Sequence, residues 1–191
     1  MTRGQLSRPV AGRICAAMRT SSFSLACLLI GLAGPALAQP HPAAPKSAPG
    51  PKKLGTFDDW TAATHQEGGA TVCYAFTYPS NSVPKLPGRG EVVLTVTERP
   101  TGRDELALTA GFAYAPNATV TLQVDQAGFD FYTAQRNAFA RDGKAAIAAL
   151  QKGNGAQARS PGPRDARVVD TFSLRGFSAA YAAINKACPA R

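Results

Sequence analysis

Thr71-Val72-Cys73-Tyr74-Ala75-Phe76-Thr77-Tyr78 is the stretch on which the fold of this chain turns. Side chains alternate across a β-strand, so Val72, Tyr74, Phe76 and Tyr78 share one face, and Thr71, Cys73, Ala75 and Thr77 take the other. The same period of two recurs downstream. Glu91 to Thr97 sets Val92, Leu94 and Val96 against Val93, Thr95 and Thr97, and Glu105 to Tyr114 gathers Leu106, Leu108, Ala110, Phe112 and Tyr114 on one side. Thr119 to Asp125 does this with Val120, Leu122 and Val124, and Phe129 to Thr133 with Phe129, Phe131 and Thr133. The breaks carry turn chemistry: Pro79 to Gly90, Pro100-Thr101-Gly102, Pro116-Asn117 and Ala127-Gly128. Short alternating strands at this spacing predict a mainly β domain, an antiparallel β-sandwich or a barrel.

Two short helices interrupt the strands. Asp142 can cap a helix through Lys152 with Ile147 and Leu150 inward. Gly153 to Pro163 is expected to be a loop, and Arg167 to Leu174 a further strand. Ser178 to Ala187 reads as a C-terminal helix, because Phe177, Tyr181, Ile184 and Cys188 fall four, three and four apart, along one helical stripe. Within the Arg167 strand, Asp170 shares its parity with Val168, Phe172 and Leu174. A buried unpaired charge is costly. The expectation is that burial begins only after Asp170; the alternative pairs it with an arginine such as Arg175 or Arg136.

Upstream, residues 1–38 have the parts of a secretory signal peptide. Arg3, Arg8, Arg13 and Arg19 precede an apolar run, Phe23 to Leu32, and Ala36-Leu37-Ala38 offers small residues for cleavage before Gln39. The run is shorter than the roughly 20 residues that span a bilayer, which argues against the rival reading of a permanent anchor. Met18 followed by Arg19 would also start an ordinary signal, so the start is Met1 or Met18. Lipid attachment at Cys27 fits poorly, since most of the apolar stretch follows it. Residues 39–55, with Pro40, Pro42, Pro45, Pro49 and Pro51, read as an extended, flexible tether. Residues 56–191 are then a single domain, with no further apolar stretch long enough to anchor it.

The export reading changes the charge. All 12 acidic residues and 17 of the 21 basic residues lie after residue 38, so the exported chain carries +5 rather than +9. The basic residues are scattered, which argues for a solvated surface and against a nucleic-acid stripe. It also leaves two cysteines, Cys73 and Cys188, for an oxidising compartment, where one pairing is open to them. That bridge requires Cα atoms within about 7 Å. The last helix should therefore cover the Cys73 and Ala75 face. The Tyr74, Phe76 and Tyr78 face is expected to fill a second core layer; the alternative is an exposed contact surface.

A catalytic set is hard to assemble. His65 is the one histidine beyond the tether, and it sits where a strand runs into the Gln66 to Gly69 turn. A Ser–His–Asp arrangement with Asp58 or Asp59 can be drawn, and a small hydrolase using His65 is the alternative function, but no G-x-S-x-G elbow accompanies it. One histidine and two paired cysteines do not make a zinc site, and no P-loop or Rossmann glycine pattern is present. No metal, cofactor or catalytic residue is expected. Trp60, the sole tryptophan, could approach the aromatic row if its segment pairs with the Thr71 strand. Trp60, Tyr74, Phe76 and Tyr78 form a candidate binding patch, with a core role for Trp60 the stronger expectation.

Three stretches carry a family resemblance: Phe57-Asp58-Asp59-Trp60; Phe131-Tyr132-Thr133 followed by the Asp142 helix; and Asp170-Thr171-Phe172-Ser173-Leu174-Arg175-Gly176-Phe177-Ser178-Ala179-Ala180 running to Cys188. Together they look like the invasion-associated locus B family of alphaproteobacterial envelope proteins, over about Phe57 to Cys188. The resemblance implies a signal peptide, a periplasmic or outer-surface location, and in some pathogens a role in host-cell invasion. It brings no reaction and no catalytic residues. Many members carry a cysteine soon after the tryptophan, where this chain has Thr64 and His65. The resulting expectation is an exported, non-enzymatic binding or structural module whose partner is a protein or envelope component.

Overall fold

The structure is a computed structural model that describes residues 50–190. The expected signal peptide and the expected tether up to residue 49 lie outside the described residues. Among those described, β1 (Lys52–Phe57), β2 (Trp60–Glu67), β3 (Ala70–Thr77), β4 (Asn81–Val83), β5 (Val93–Arg99), β6 (Gly102–Thr109), β7 (Thr119–Val124), β8 (Ala127–Ala134) and β9 (Asn137–Ala140) precede α1 (Gly143–Leu150). After it come β10 (Gly155–Pro161), β11 (Arg167–Ser173) and α2 (Phe177–Ala187).

All eleven strands join one antiparallel sheet in the order β1-β2-β3-β5-β6-β9-β8-β7-β10-β11-β4. The sheet is open, with β1 and β4 at its edges, yet it curls until its ends approach. The Trp60 indole on β2 donates to the Ser173 carbonyl at the end of β11, 3.0 Å away. The predicted mainly β architecture with two short helices is what forms, sandwich-like but built from one continuous sheet.

The concave side holds the core. Leu94 and Val96 of β5, Leu106 and Leu108 of β6, Val120 and Leu122 of β7, Phe131 of β8 and Phe172 of β11 are all buried there, as their alternation predicts. α1 starts where Asp142 accepts a hydrogen bond from the Ala145 amide at 2.9 Å, and it buries Ala146, Ile147 and Leu150. α2 buries Phe177, Ala180 and Ile184. It lies on the Cys73 and Ala75 side of β3, where Cys188 forms the disulfide with Cys73 at a Cα separation of 6.0 Å.

Four expectations are corrected. The tether ends earlier than residue 55, because Lys52 already pairs with Thr64 and Lys53 with Ala63. Gly153 to Pro163 is not all loop: β10 occupies Gly155–Pro161 between β7 and β11. Its inward residues are Ala156, Ala158 and Ser160, too small to mark an apolar alternation. The Glu105 strand stops at Thr109, since Gly111 turns at a φ of 76°, although Ala110, Phe112 and Tyr114 remain buried. Burial in β11 does not wait until after Asp170, which is fully enclosed. Its partner is neither Arg175 nor Arg136 but Arg89, from the Pro79 to Gly90 segment.

Candidate binding groove

Register decides which side chains meet outside the sheet. The β2–β3 hairpin turns at Gly68 and Gly69, both at positive φ, and pairs Thr61 with Phe76, Ala63 with Tyr74 and His65 with Val72. β5 flanks β3 on its other side, with Phe76 opposite Thr95 and Tyr74 opposite Thr97. The outer face of this three-strand patch therefore carries an aromatic row. Tyr74 and Phe76 stack at 5.9 Å between ring centroids, Phe76 meets Tyr78 edge-on at 5.7 Å, and His65 meets Tyr74 edge-on at 5.4 Å. Alternating aromatic positions on one strand supply this spacing without help from tertiary contacts.

No second core layer covers the row. Tyr74 and Phe76 are half-buried and Tyr78 is 53% exposed. The rings floor a concavity of about 580 Å³ whose walls come from Pro51, His65 and Gln66 on one side and Glu91, Val93, Thr95, Thr97 and Arg99 on the other. Partial burial, with the Glu91 carboxylate next to it, holds the Tyr78 phenol above its ordinary pKa. Arg99 is fixed at the rim by Glu67 at 3.1 Å and Glu105 at 2.9 Å. The floor is apolar and aromatic, and the rim offers both charges, hydroxyls and an imidazole. Such a surface can hold an extended ligand by stacking while hydrogen bonds fix its register.

Trp60 does not belong to this patch. Its parity places it inward with Ala62, completely buried, its ring 4.7 Å from that of Phe177 on α2. Hairpin pairing does bring its segment beside β3, but on the opposite face from Tyr74 and Phe76. The sequence left out the groove's other wall, β5 with Glu91 and Arg99. The available signal was the Val93, Thr95 and Thr97 face, whose mix of apolar and hydroxyl residues suits a half-exposed wall.

His65 lines the groove without a catalytic set around it. Its Nε2 lies 3.6 Å from a Glu67 oxygen. Asp58 and Asp59 precede Trp60 at the far end of β2, and Trp60 is itself five residues, about 16 Å, along the strand from His65. Among the described residues, no three His, Cys, Asp or Glu side chains gather as a metal site, and no helix is long and apolar enough to cross a membrane.

Two buried polar clusters sit elsewhere, and both join chain segments. Beneath α2, Glu98 is fully enclosed, paired with Arg103 at 3.1 Å and accepting from the Asp104 amide at 3.3 Å. Burial pushes Glu98 up to about 7, against the pull of Arg103. Arg103 also donates to the Cys188 carbonyl at 2.8 Å and to Asn185, and the Tyr181 hydroxyl donates to Asp104. Burial and that hydrogen bond raise Tyr181 to about 12. The second cluster is Asp170 with Arg89 and Ser82. Neither cluster opens onto the groove.

Comparison with known proteins agrees with this architecture. No curated protein sequence matches the chain. The crystal structure of invasion associated protein b from Bartonella henselae superposes with a TM-score of 0.52 at 21% identity, covering 70% of this chain and 95% of that one. At that identity the likeness speaks for the fold. The family model "Invasion associated locus B (IalB) protein" matches residues 60–185, from Trp60 to within three residues of Cys188. By that match, over more than half of its length, the chain belongs to the invasion associated locus B family.

Proposed function

We propose that this protein is exported and serves in the periplasm or at the outer surface as a non-enzymatic envelope binding module, with the Tyr74–Phe76–Tyr78 groove as its contact surface. The observation that carries this reading is the uncovered aromatic row. An apolar row on a sheet face that core packing does not need is expensive to leave wet, and exposed aromatics dominate binding hot spots. Export is supported by the Ala36-Leu37-Ala38 site after an apolar run and by the Cys73–Cys188 disulfide, a bond of oxidising compartments. Family membership agrees with an envelope location. His65 then acts as part of the groove wall, edge-on to Tyr74, rather than as a general base.

The test uses the chain from Gln39 onward and a washed envelope fraction of the native host. The wild type should co-sediment with the fraction. Phe76→Ser should lose most of that co-sedimentation while its melting temperature falls by only about a few degrees. Equal sedimentation of the two proteins, or none by the wild type, would overturn the reading.

A further inference from the structure

We infer that the ligand of the aromatic groove is a neutral glycan, a chain of pyranose rings with free hydroxyls. The inference rests on the reading of the groove as a binding surface and names the chemistry of its partner.

The first argument is the floor. Tyr74 and Phe76 lie 5.9 Å apart between ring centroids with their planes 25° from parallel, and Tyr78 stands edge-on to Phe76 at 5.7 Å. A pyranose ring carries C–H groups on its faces and hydroxyls around its edge. It can therefore lay an apolar face on aromatic rings while its edge meets polar walls. The repeat of an extended pyranose chain is comparable with this ring spacing, so successive sugars can meet successive rings.

The second argument is the walls, which ask for donors. Glu91 is exposed and makes no ion pair among the described residues, and a carboxylate only accepts hydrogen bonds. Gln66 already commits its Nε2 to the Thr71 hydroxyl at 2.9 Å, which leaves its Oε1 as a further acceptor. Thr97 lines the groove while only 7% exposed, and its hydroxyl makes no hydrogen bond among the described residues. Sugar hydroxyls both donate and accept, so one glycan chain can satisfy all three.

The third argument is charge and topology. Among the described residues that line the groove, Arg99 is the one Lys or Arg, and Glu67 and Glu105 hold it. With Glu91 added, the groove has no surplus positive charge for a phosphate-bearing ligand. Single-stranded nucleic acid also stacks on aromatic rows, but it needs a basic groove along its backbone. A peptide that adds as a β-strand needs an unpaired edge, and β2, β3 and β5 are each paired on both sides. A polyproline II peptide suits aromatic rings, but proline has no N–H to give to Glu91 or Gln66.

The experiment titrates the chain from Gln39 onward, disulfide intact and isotope-labelled on its Tyr and Phe rings, with cellotetraose, chitotetraose and maltotetraose, and separately with an oligoproline. The ring signals of Tyr74, Phe76 and Tyr78 should shift with at least one tetrasaccharide, while Tyr132 on the distant β8 stays still. A tenfold rise in salt should leave the affinity within about twofold, because the ligand is uncharged. Phe76→Ser should weaken binding at least tenfold. Glu91→Gln keeps the shape of the side chain but not its charged acceptor, and should weaken binding several-fold with the rest of the spectrum unchanged. No response to any tetrasaccharide overturns the inference, as does a row that answers only to oligoproline. Shifts at Tyr132 as large as those of the row, or full affinity in both variants, overturn it too. If no tetrasaccharide binds while Phe76→Ser still abolishes envelope co-sedimentation, this inference falls and the binding function stands. If a tetrasaccharide binds the row but the wild type does not co-sediment with the envelope, the reverse holds.

Discussion

Arg89 grips Asp170 at two points, Nη1 to Oδ1 at 2.8 Å and Nη2 to Oδ2 at 2.7 Å, where the carboxylate has no exposure to water. Ser82 donates to the same Oδ1 at 2.6 Å, and Arg89 Nε donates to the Ala110 carbonyl at 2.8 Å. The guanidinium also lies over the Phe112 ring at 5.1 Å. One ion pair thus ties β11 to β4, to the segment after β4 and to the end of β6. Removing one partner of a buried pair leaves the other charged and unpaired, at about 3–5 kcal/mol. Asp170→Ala should lower the melting temperature sharply. Arg175→Ala should barely move it, because Arg175 reaches Asp58 at 3.4 Å with both side chains in solvent. Thermal melts of the two variants check this; equal effects would disprove it.

Glu98 predicts an unusual pH dependence. Its carboxyl rises from 4.5 to about 7 on folding, with burial as the main cause, and one oxygen has no hydrogen-bond partner. A raised folded pKa means the native state holds the proton more tightly than the unfolded chain. The contribution is fully present below about 4.5 and is lost as pH rises through about 7. Between those values it can change by up to about 1.4 kcal/mol per pH unit. Acidification from pH 7 to 5 should therefore stabilise the wild type relative to Glu98→Gln, which keeps the amide and Arg103 contacts without the titration. Parallel melting curves for the two proteins across this range would refute it.

The Cys73–Cys188 disulfide closes a 115-residue loop. Its removal in a Cys73→Ala, Cys188→Ala double variant should cost roughly 2–5 kcal/mol, through a less restricted unfolded chain. α2 should nevertheless stay docked, because Phe177, Ala180 and Ile184 are buried and Arg103 still holds the Cys188 backbone carbonyl. The expected signature is a lower melting temperature with an unchanged far-ultraviolet circular dichroism spectrum. A loss of helical signal at low temperature would show that the bridge, not the apolar stripe, docks α2.

The parts of this fold that were legible in sequence share one property: strong side-chain contrast. Leu94 and Val96 against Thr95 and Thr97, or Phe177 and Ile184 on one helical stripe, mark a face unambiguously. β10 is invisible in the sequence because its buried residues, Ala156, Ala158 and Ser160, are small, so its inner face carries no apolar signature. The burial of Asp170 is illegible for a different reason. Its partner Arg89 lies 81 residues away in an irregular segment, and no periodicity links the two. The candidate site was half legible. Alternation put Tyr74, Phe76 and Tyr78 on one face, but whether that face is covered depends on where the sheet curls. The place of Trp60 is not legible in sequence, because sequence proximity does not distinguish the two sides of a hairpin until the register is known.

Register now separates Trp60 from Phe76, and mutation should separate them too. Trp60 is enclosed by the sheet and α2, its ring tilted against Phe177 and hydrogen-bonded to Ser173, which joins the two ends of the curled sheet. Trp60→Ala leaves a large cavity and should cost about 3–5 kcal/mol. For a domain of this size that is a fall of roughly 10 °C or more. Phe76 stands half-buried on the outer face, and Phe76→Ser should cost only about 1 kcal/mol. Envelope co-sedimentation should follow the opposite order. At a temperature where both variants are folded, Trp60→Ala should still bind and Phe76→Ser should not. If Phe76→Ser melts as low as Trp60→Ala, the row is structural and the groove is not the contact surface. If Trp60→Ala, still folded, loses binding while Phe76→Ser retains it, the contact lies on the α2 side of the sheet instead.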